Sequence, residues 1–127
     1  DTQMQYTALV VDDNIEICEL YQTAFNCAGF DAYSVTSAKS AIEFLSNNHV
    51  DVMTLDHNMP GMSGLELLRF IKETKIAENT KIIMATANDS IIFNNDDIGK
   101  ADLVMMKPIG FNQLIDLATR LVKTIES

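Results

Sequence analysis

Residues 50–64 read VDVMTLDHNMPGMSG, a short apolar run that reaches one carboxylate, Asp56, and then breaks. Val50, Val52, Met53 and Leu55 supply the apolar part, as expected of a strand covered on both faces in a parallel sheet. Pro60, Gly61 and Gly64 follow at once. Proline lacks the N–H that a ladder needs and glycine loses the most entropy in a regular element, so neither strand nor helix should run across them. Asp56 is therefore expected at the carboxyl edge of the sheet, where open α/β sheets bind ligands. An Asx turn or loop cap is the other use of a lone carboxylate at such a place, and the rest of the chain bears on the choice.

Upstream, Ala8-Leu9-Val10-Val11 is a second apolar run that closes on carboxylates, Asp12 and Asp13. Ile17, Leu20, Tyr21, Ala24, Phe25 and Ala28 recur at helical spacing and predict one apolar stripe, ended by Gly29. Phe30 to Thr36 reads as a weaker strand. Ser37 caps a short helix to about Ser46, with Ala38, Ala41, Ile42 and Leu45 inward. Downstream, Ser63 and Glu66 form a capping box that opens a third helix. Lys81 to Ala87 is another apolar strand, ending at Thr86. Asn88 to Gly99 is polar and predicts only a short fourth helix. Leu103 to Met106 is the fifth strand and closes on Lys107-Pro108. Leu114, Leu117, Ala118, Leu121, Val122 and Ile125 then mark a long amphipathic final helix.

Alternating strands and helices predict an α/β fold, a five-stranded doubly wound parallel sheet with five flanking helices. Right-handed crossovers place every strand's carboxyl end on one edge. That edge then collects Asp12, Asp13, Asp56, Thr86 and Lys107. The chain has 127 residues, 47% of them hydrophobic, which fits one domain (1–127, core about 6–125). Nine basic against eighteen acidic residues give a net charge of −9, which argues against non-specific binding to nucleic acid or an anionic membrane. No run approaches the roughly 20 apolar residues that span a bilayer, and DTQMQYT has no secretory pattern, so a cytoplasmic location is expected. Cys18 and Cys27 lack metal or redox spacing and are expected as buried or half-buried thiols.

Three carboxylates packed together repel one another unless a cation intervenes, and Mg²⁺ takes oxygen ligands while keeping several waters. Beside a cation, Asp56 could attack a phosphoryl donor and form an aspartyl phosphate. Thr86 and Lys107 would then supply a hydrogen bond and a positive charge to the transferred group.

These residues resemble the receiver domain of two-component response regulators, including the chemotaxis receivers. The resemblance rests on the acidic pair Asp12-Asp13, on DHNMPGMSG from Asp56, on the Thr86 strand end and on Lys107-Pro108, all in family order and covering essentially the whole chain. It implies the flavodoxin-like (β/α)5 receiver fold. It also implies that Asp56 takes phosphate from a histidine kinase or histidine phosphotransfer protein. By the same resemblance Asp13 and Asp56 hold Mg²⁺ directly with the Asn58 backbone carbonyl, Asp12 assists through water, and the Lys107–Pro108 bond is cis. Such a domain is a phosphoprotein of a phosphorelay rather than an enzyme, although it assists its own phosphotransfer and dephosphorylation. Phosphorylation would draw Thr86 inward and shift the face between the fourth and fifth helices, the place for any homodimer.

One position departs from the family. Three residues before the lysine an aromatic switch is usual, and here stands Val104, so output would travel by backbone motion or by another surface. Asn58 and Asn88 flank the route of the attacking water by analogy and would set the phosphoryl lifetime. His57 follows the acceptor, where a side chain more often points away. Met59 and Met62 read as apolar loop anchors. Ile15, Ile109 and Phe111 lie near the rim, where exposed apolar groups could dock a partner helix; Phe111 could equally be a hydrophobic staple.

Other classes fit less well. A flavodoxin-like cofactor binder should have a glycine- or hydroxyl-rich loop after its first strand, where VVDDNIEI offers carboxylates. A phosphatase with an aspartyl nucleophile needs two Asp residues two apart on that strand, and here they are adjacent. A pseudo-receiver acting only as an interaction module is the alternative within the family. A stand-alone receiver, the front of a longer regulator and part of a hybrid kinase all fit the sequence.

Overall fold

The apolar run around Asp56 becomes β3 (Val52–Asp56), with every residue buried. A computed structural model of the chain describes residues 5–87 and 100–124. In order, it contains β1 (Thr7–Val11), α1 (Ile15–Cys27), β2 (Asp31–Val35), α2 (Ala38–Asn47), β3, α3 (Gly64–Thr74), β4 (Lys81–Thr86), β5 (Leu103–Met106) and α4 (Phe111–Lys123). The five strands form one sheet in the order β2-β1-β3-β4-β5, and every pairing is parallel. Four of the five expected helices lie among the described residues. The helical segment expected over residues 88–99 lies outside them, as do Asn88 and Ile125.

Strand alternation divides the interior in two. Leu9, Val11, Met53, Leu55, Ile82 and Met84 face α2 and α3, where Leu45, Leu67, Leu68 and Ile71 meet them. Ala8, Val10, Val52, Ile83, Ala85 and Met105 face α1 and α4, against Tyr21, Phe25, Leu114 and Val122. Both sheet faces are covered, which is why the strands read as continuous apolar runs rather than alternating ones.

Helices α1, α2 and α3 begin where a side chain satisfies a free N–H group. Asn14 caps α1 by accepting from the Glu16 and Ile17 N–H groups, and Ser37 caps α2 by accepting from Ser40. Ser63 and Glu66 form the reciprocal capping box of α3. The stripe expected on α1 needs correction. Leu20 and Ala28 are exposed and Cys18 takes the inward place, because the buried face of α1 runs through Cys18, Tyr21, Ala24 and Phe25. Cys27, the last residue of α1, is exposed rather than half-buried.

Strand order reverses direction between β1 and β3. Val11 pairs with Leu55, so the next residues, Asp12 and Asp56, emerge side by side at that switch point. Phe25 anchors the scaffold beneath, fully buried and edge-on to Phe30 with ring centroids 5.1 Å apart. Phe25→Ala is expected to cost about 3–5 kcal/mol in urea unfolding, and a loss below about 1 kcal/mol would contradict this packing.

Candidate functional site

Asp12, Asp13 and Asp56 bring carboxylate oxygens within 4.8 Å of one another at the ends of β1 and β3. Asp12 and Asp56 are buried, whereas Asp13 is exposed. Lys107, just past β5, reaches across the edge and places its Nζ 2.9 Å from Asp12 Oδ2 and 2.9 Å from Asp56 Oδ1. Its peptide bond to Pro108 is cis. The Lys107 N–H donates to the Thr86 carbonyl at 2.8 Å, so the lysine starts from a fixed point on β4.

The second oxygen of Asp12 is also engaged, because Oδ1 accepts the Asn14 N–H at 2.9 Å. Asp12 thus serves Lys107 with one oxygen and the start of α1 with the other. Below it, the Cys18 thiol donates to the Asp12 carbonyl at 3.1 Å. Burial, then the Asp12 charge, pushes that thiol above its ordinary value, so it stays protonated and is a poor nucleophile.

Burial pushes the Asp56 carboxyl above the usual carboxylate range. The hydrogen bond from Lys107 pulls it back, the Asp12 charge adds to the rise, and the net direction is upward. For Lys107, burial alone would lower the ammonium, but hydrogen bonds with Asp56 and Asp12 outweigh it and hold the group above its ordinary value. The carboxylates therefore outnumber the cation at this edge. An all-oxygen donor set this close suits a hard divalent ion such as Mg²⁺. With both Asp12 oxygens occupied, Asp13 and Asp56 are the carboxylates with capacity to spare.

The loop after Asp56 is fixed by contact rather than by its own hydrogen bonds alone. The Gly64 N–H donates to the His57 carbonyl at 2.9 Å. A Cβ on Gly64 would collide with the Asp56 carbonyl oxygen and lie 2.9 Å from the His57 Cα. Only glycine lets the start of α3 come this close to Asp56. Sequence reading placed Gly64 as a loop former and missed this packing role, for which only the structure gives a signal. The His57 Nδ1 is buried with no partner among the described residues, and the side chain is partly covered.

Thr86, the last residue of β4, is fully buried beside the site. Val104 is half-buried and packs against the α2/α3 side of the interior. Of the three rim residues expected to be exposed, Ile15 is 66% and Phe111 44% exposed, but Ile109 is buried at 6%. The reason lies in the cap of α4. Gly110 is its N-cap, so Ile109 precedes the cap and Leu114 is the fourth helical residue. These two join the same core and form the staple that Phe111 might have made. Leu20, at 51%, is a further exposed apolar group on α1. No helix among the described residues is long and apolar enough to cross a membrane.

Comparison with known proteins agrees with this arrangement. The sequence model of the response regulator receiver domain matches residues 8–119. The response regulator SaeR of Staphylococcus aureus is 38% identical over 68 residues, spanning 54% of this chain and 29% of that protein. The match thus spans less than a third of that relative's length. The receiver domain of the Francisella response regulator 1452 superposes with a TM-score of 0.86 at 28% identity, over 95% of this chain and 99% of that one. The response regulator TrrA from Thermotoga maritima, solved in complex with Mg²⁺-BeF, does so with 0.83 at 28% identity, over 92% and 99%.

Two measurements probe the site. Gly64→Ala is expected to cost about 1–3 kcal/mol in chemical denaturation, since the Asp56 loop must move to admit the methyl group; an unchanged midpoint would contradict the close approach. The second concerns pH. The folded chain holds the Asp56 proton more tightly than the unfolded chain does. Its contribution to stability is therefore present below the ordinary carboxylate pKa and lost as pH rises through the raised one. Asp56→Asn stays neutral throughout. Its thermal midpoint should exceed wild type by a few degrees at about pH 7 and match it near about pH 3. A lower midpoint at neutral pH would reverse the sign.

Proposed function

The chain belongs to the response regulator receiver domain family, and on that premise we propose that it is a phosphoacceptor of a two-component phosphorelay, with Asp56 as the acceptor. The observation that carries this reading is the Lys107 ammonium held 2.9 Å from both Asp56 and Asp12, next to Asp13, at the switch point of the sheet. The donor is a phosphohistidine of a histidine kinase or histidine phosphotransfer protein.

In the transfer, an Asp56 carboxylate oxygen attacks phosphorus. The O–P bond forms as the P–N bond of the donor breaks, and the electron pair leaves with the imidazole nitrogen. Asp13 and Asp56, with the Asn58 carbonyl and with Asp12 through water, would hold Mg²⁺, which would supply positive charge to the phosphoryl oxygens. Lys107 keeps its contact with Asp12 and turns its remaining donors to the phosphoryl group, where charge is shared in the transition state. The Thr86 hydroxyl donates to a further phosphoryl oxygen. Asp12 takes no part in the bond change and serves to orient Lys107. The domain is a signalling acceptor rather than an enzyme with an external substrate, and its slow hydrolysis returns it to the starting state.

Output follows from the recruitment of Thr86. Its hydroxyl, at the end of β4, is drawn toward the phosphoryl group, and the segment after β4 moves with it. Because Val104 is aliphatic and already seated against core side chains, the change passes through the backbone of β4 and β5 rather than through a rotating ring. A few kcal/mol of differential interaction is enough to exchange two such populations. The exposed apolar groups Ile15, Leu20 and Phe111 offer a partner helix a surface beside the acceptor.

Intact mass spectrometry after incubation with acetyl phosphate tests the acceptor. One phosphoryl adduct is expected with Mg²⁺, none with EDTA, and none on Asp56→Asn. A wild-type chain that takes no adduct and binds no beryllofluoride with Mg²⁺ would favour a pseudo-receiver that works by interaction alone.

A further inference from the structure

The residues on either side of Asp13 are Asp12 and Asn14, and the carbonyls of both are held by one residue, Cys18. Its N–H donates to the Asn14 carbonyl at 3.1 Å and closes the first turn of α1. Its thiol donates to the Asp12 carbonyl at 3.1 Å and lies 3.7 Å from the Val35 carbonyl at the end of β2. Cys18 is buried, and burial in apolar surroundings keeps a thiol protonated, as a donor must be. The Asp12 N–H in turn donates to the Val35 carbonyl at 3.2 Å. The ends of β1 and β2 and the start of α1 thus meet at this sulfur.

Backbone accounting gives the contact a purpose. Asp12 is buried, and a buried carbonyl needs a donor. No backbone N–H among the described residues supplies one, so the thiol does. The Asp12 carbonyl and the Asp13 N–H belong to one rigid peptide plane. Fixing that oxygen therefore fixes the direction in which the chain enters Asp13.

Asp13 has little else to hold it. It is exposed, and its carboxylate makes no hydrogen bond or ion pair among the described residues. Its oxygen nonetheless stands within 4.8 Å of those of Asp12 and Asp56, where like charge pushes it outward. Lys107 restrains Asp12 and Asp56. Asp13 keeps its place through its backbone alone. A valine at position 18 would fill the same apolar place and leave the Asp12 carbonyl without its donor.

We propose that Cys18 is a positioning residue for the cation site: its thiol, on the Asp12 carbonyl, fixes the Asp12–Asp13 peptide and so holds the Asp13 carboxylate where a divalent ion binds. The inference rests on the phosphoacceptor reading above, in which Asp13 and Asp56 hold Mg²⁺. Cys18 itself touches neither the ion nor the phosphoryl group. A carboxylate already in place loses less freedom when the ion arrives, so the effect falls on cation affinity rather than on the rate of transfer at saturating cation.

Cys18→Ala removes the donor, and Cys18→Ser, close to alanine in size, restores one. Mg²⁺ binding to the unphosphorylated chain is measured by isothermal titration calorimetry, and the nitrogen chemical shift of the Asp13 amide by nuclear magnetic resonance. Phosphorylation by acetyl phosphate is followed by intact mass over a range of Mg²⁺ concentrations. Alanine should raise the Mg²⁺ Kd about fivefold, the scale of one neutral hydrogen bond, and shift the Asp13 amide. Serine should return both toward wild type. The maximal rate at saturating Mg²⁺ should be the same in all three chains. Unchanged Mg²⁺ affinity in the alanine variant overturns the positioning role. An equal loss in both variants does so too, because it marks packing rather than the donor, and so does a fall in maximal rate, which marks general loosening. Should alanine fail to fold, Cys18→Thr and Cys18→Val, which are matched in shape, make the same comparison. A wild-type chain that binds Mg²⁺ but takes no phosphoryl group sinks the phosphoacceptor reading, while the titration still decides the role of Cys18. A wild-type chain that binds no Mg²⁺ overturns both.

Discussion

Two buried carboxylates, Asp12 and Asp56, leave the ends of adjacent parallel strands, and a single ammonium, Lys107, stands 2.9 Å from each. Removing such charges from water costs several kcal/mol per ion, and the mutual attraction offsets this only when the geometry is held tightly. The rest of the structure can be read as the means of holding it. The three residues span 95 positions of sequence, and the sheet alone brings them together.

The holding is distributed over elements that do little else at this edge. Parallel pairing of β1 with β3 sets Asp12 beside Asp56. The Lys107 N–H on the Thr86 carbonyl ties the lysine to β4. Gly64 lets α3 press on the Asp56 carbonyl, so Asp56 is backed by a helix rather than by a loop. Asn14 both caps α1 and orders Asp12, which means that the first helix and the acidic pair are built from the same short segment. Sites mounted on strand ends and helix starts keep their geometry better than sites on free loops, because each support is itself packed.

The charges at this edge are finely balanced. Asp56 is raised by burial and by Asp12, and Lys107 is raised by the two carboxylates it serves. An added dianionic phosphoryl group would alter the balance for Lys107 first and for its backbone partner, Thr86, next. Val104, half-buried against the interior, has no ring to rotate, so such a change would travel along the β4 and β5 backbones. Around the rim, Ile15, Leu20 and Phe111 are exposed while Ile109 is turned inward as a staple with Leu114. Most of these exposed apolar groups are thus carried by α1.

Much of this was legible in the residues themselves. Apolar runs ending in Asp12, Asp56 and Thr86 announce strands and their carboxyl ends, and the Ser63/Glu66 box announces α3, because hydrophobic periodicity and capping are local properties of a few neighbouring residues. From these alone came the α/β fold and the five residues at one edge. What the tertiary structure decided is of another kind. On α1 it turned Leu20 outward and Cys18 inward. Past β5 it made Ile109 rather than Phe111 the staple, and at Gly64 it required the absence of a side chain. In each case the sequence shows an apolar or small residue in an element of known type. Which neighbour it meets depends on helix rotation and on crossovers between segments far apart in the chain, and those are fixed only when both sheet faces are packed at once.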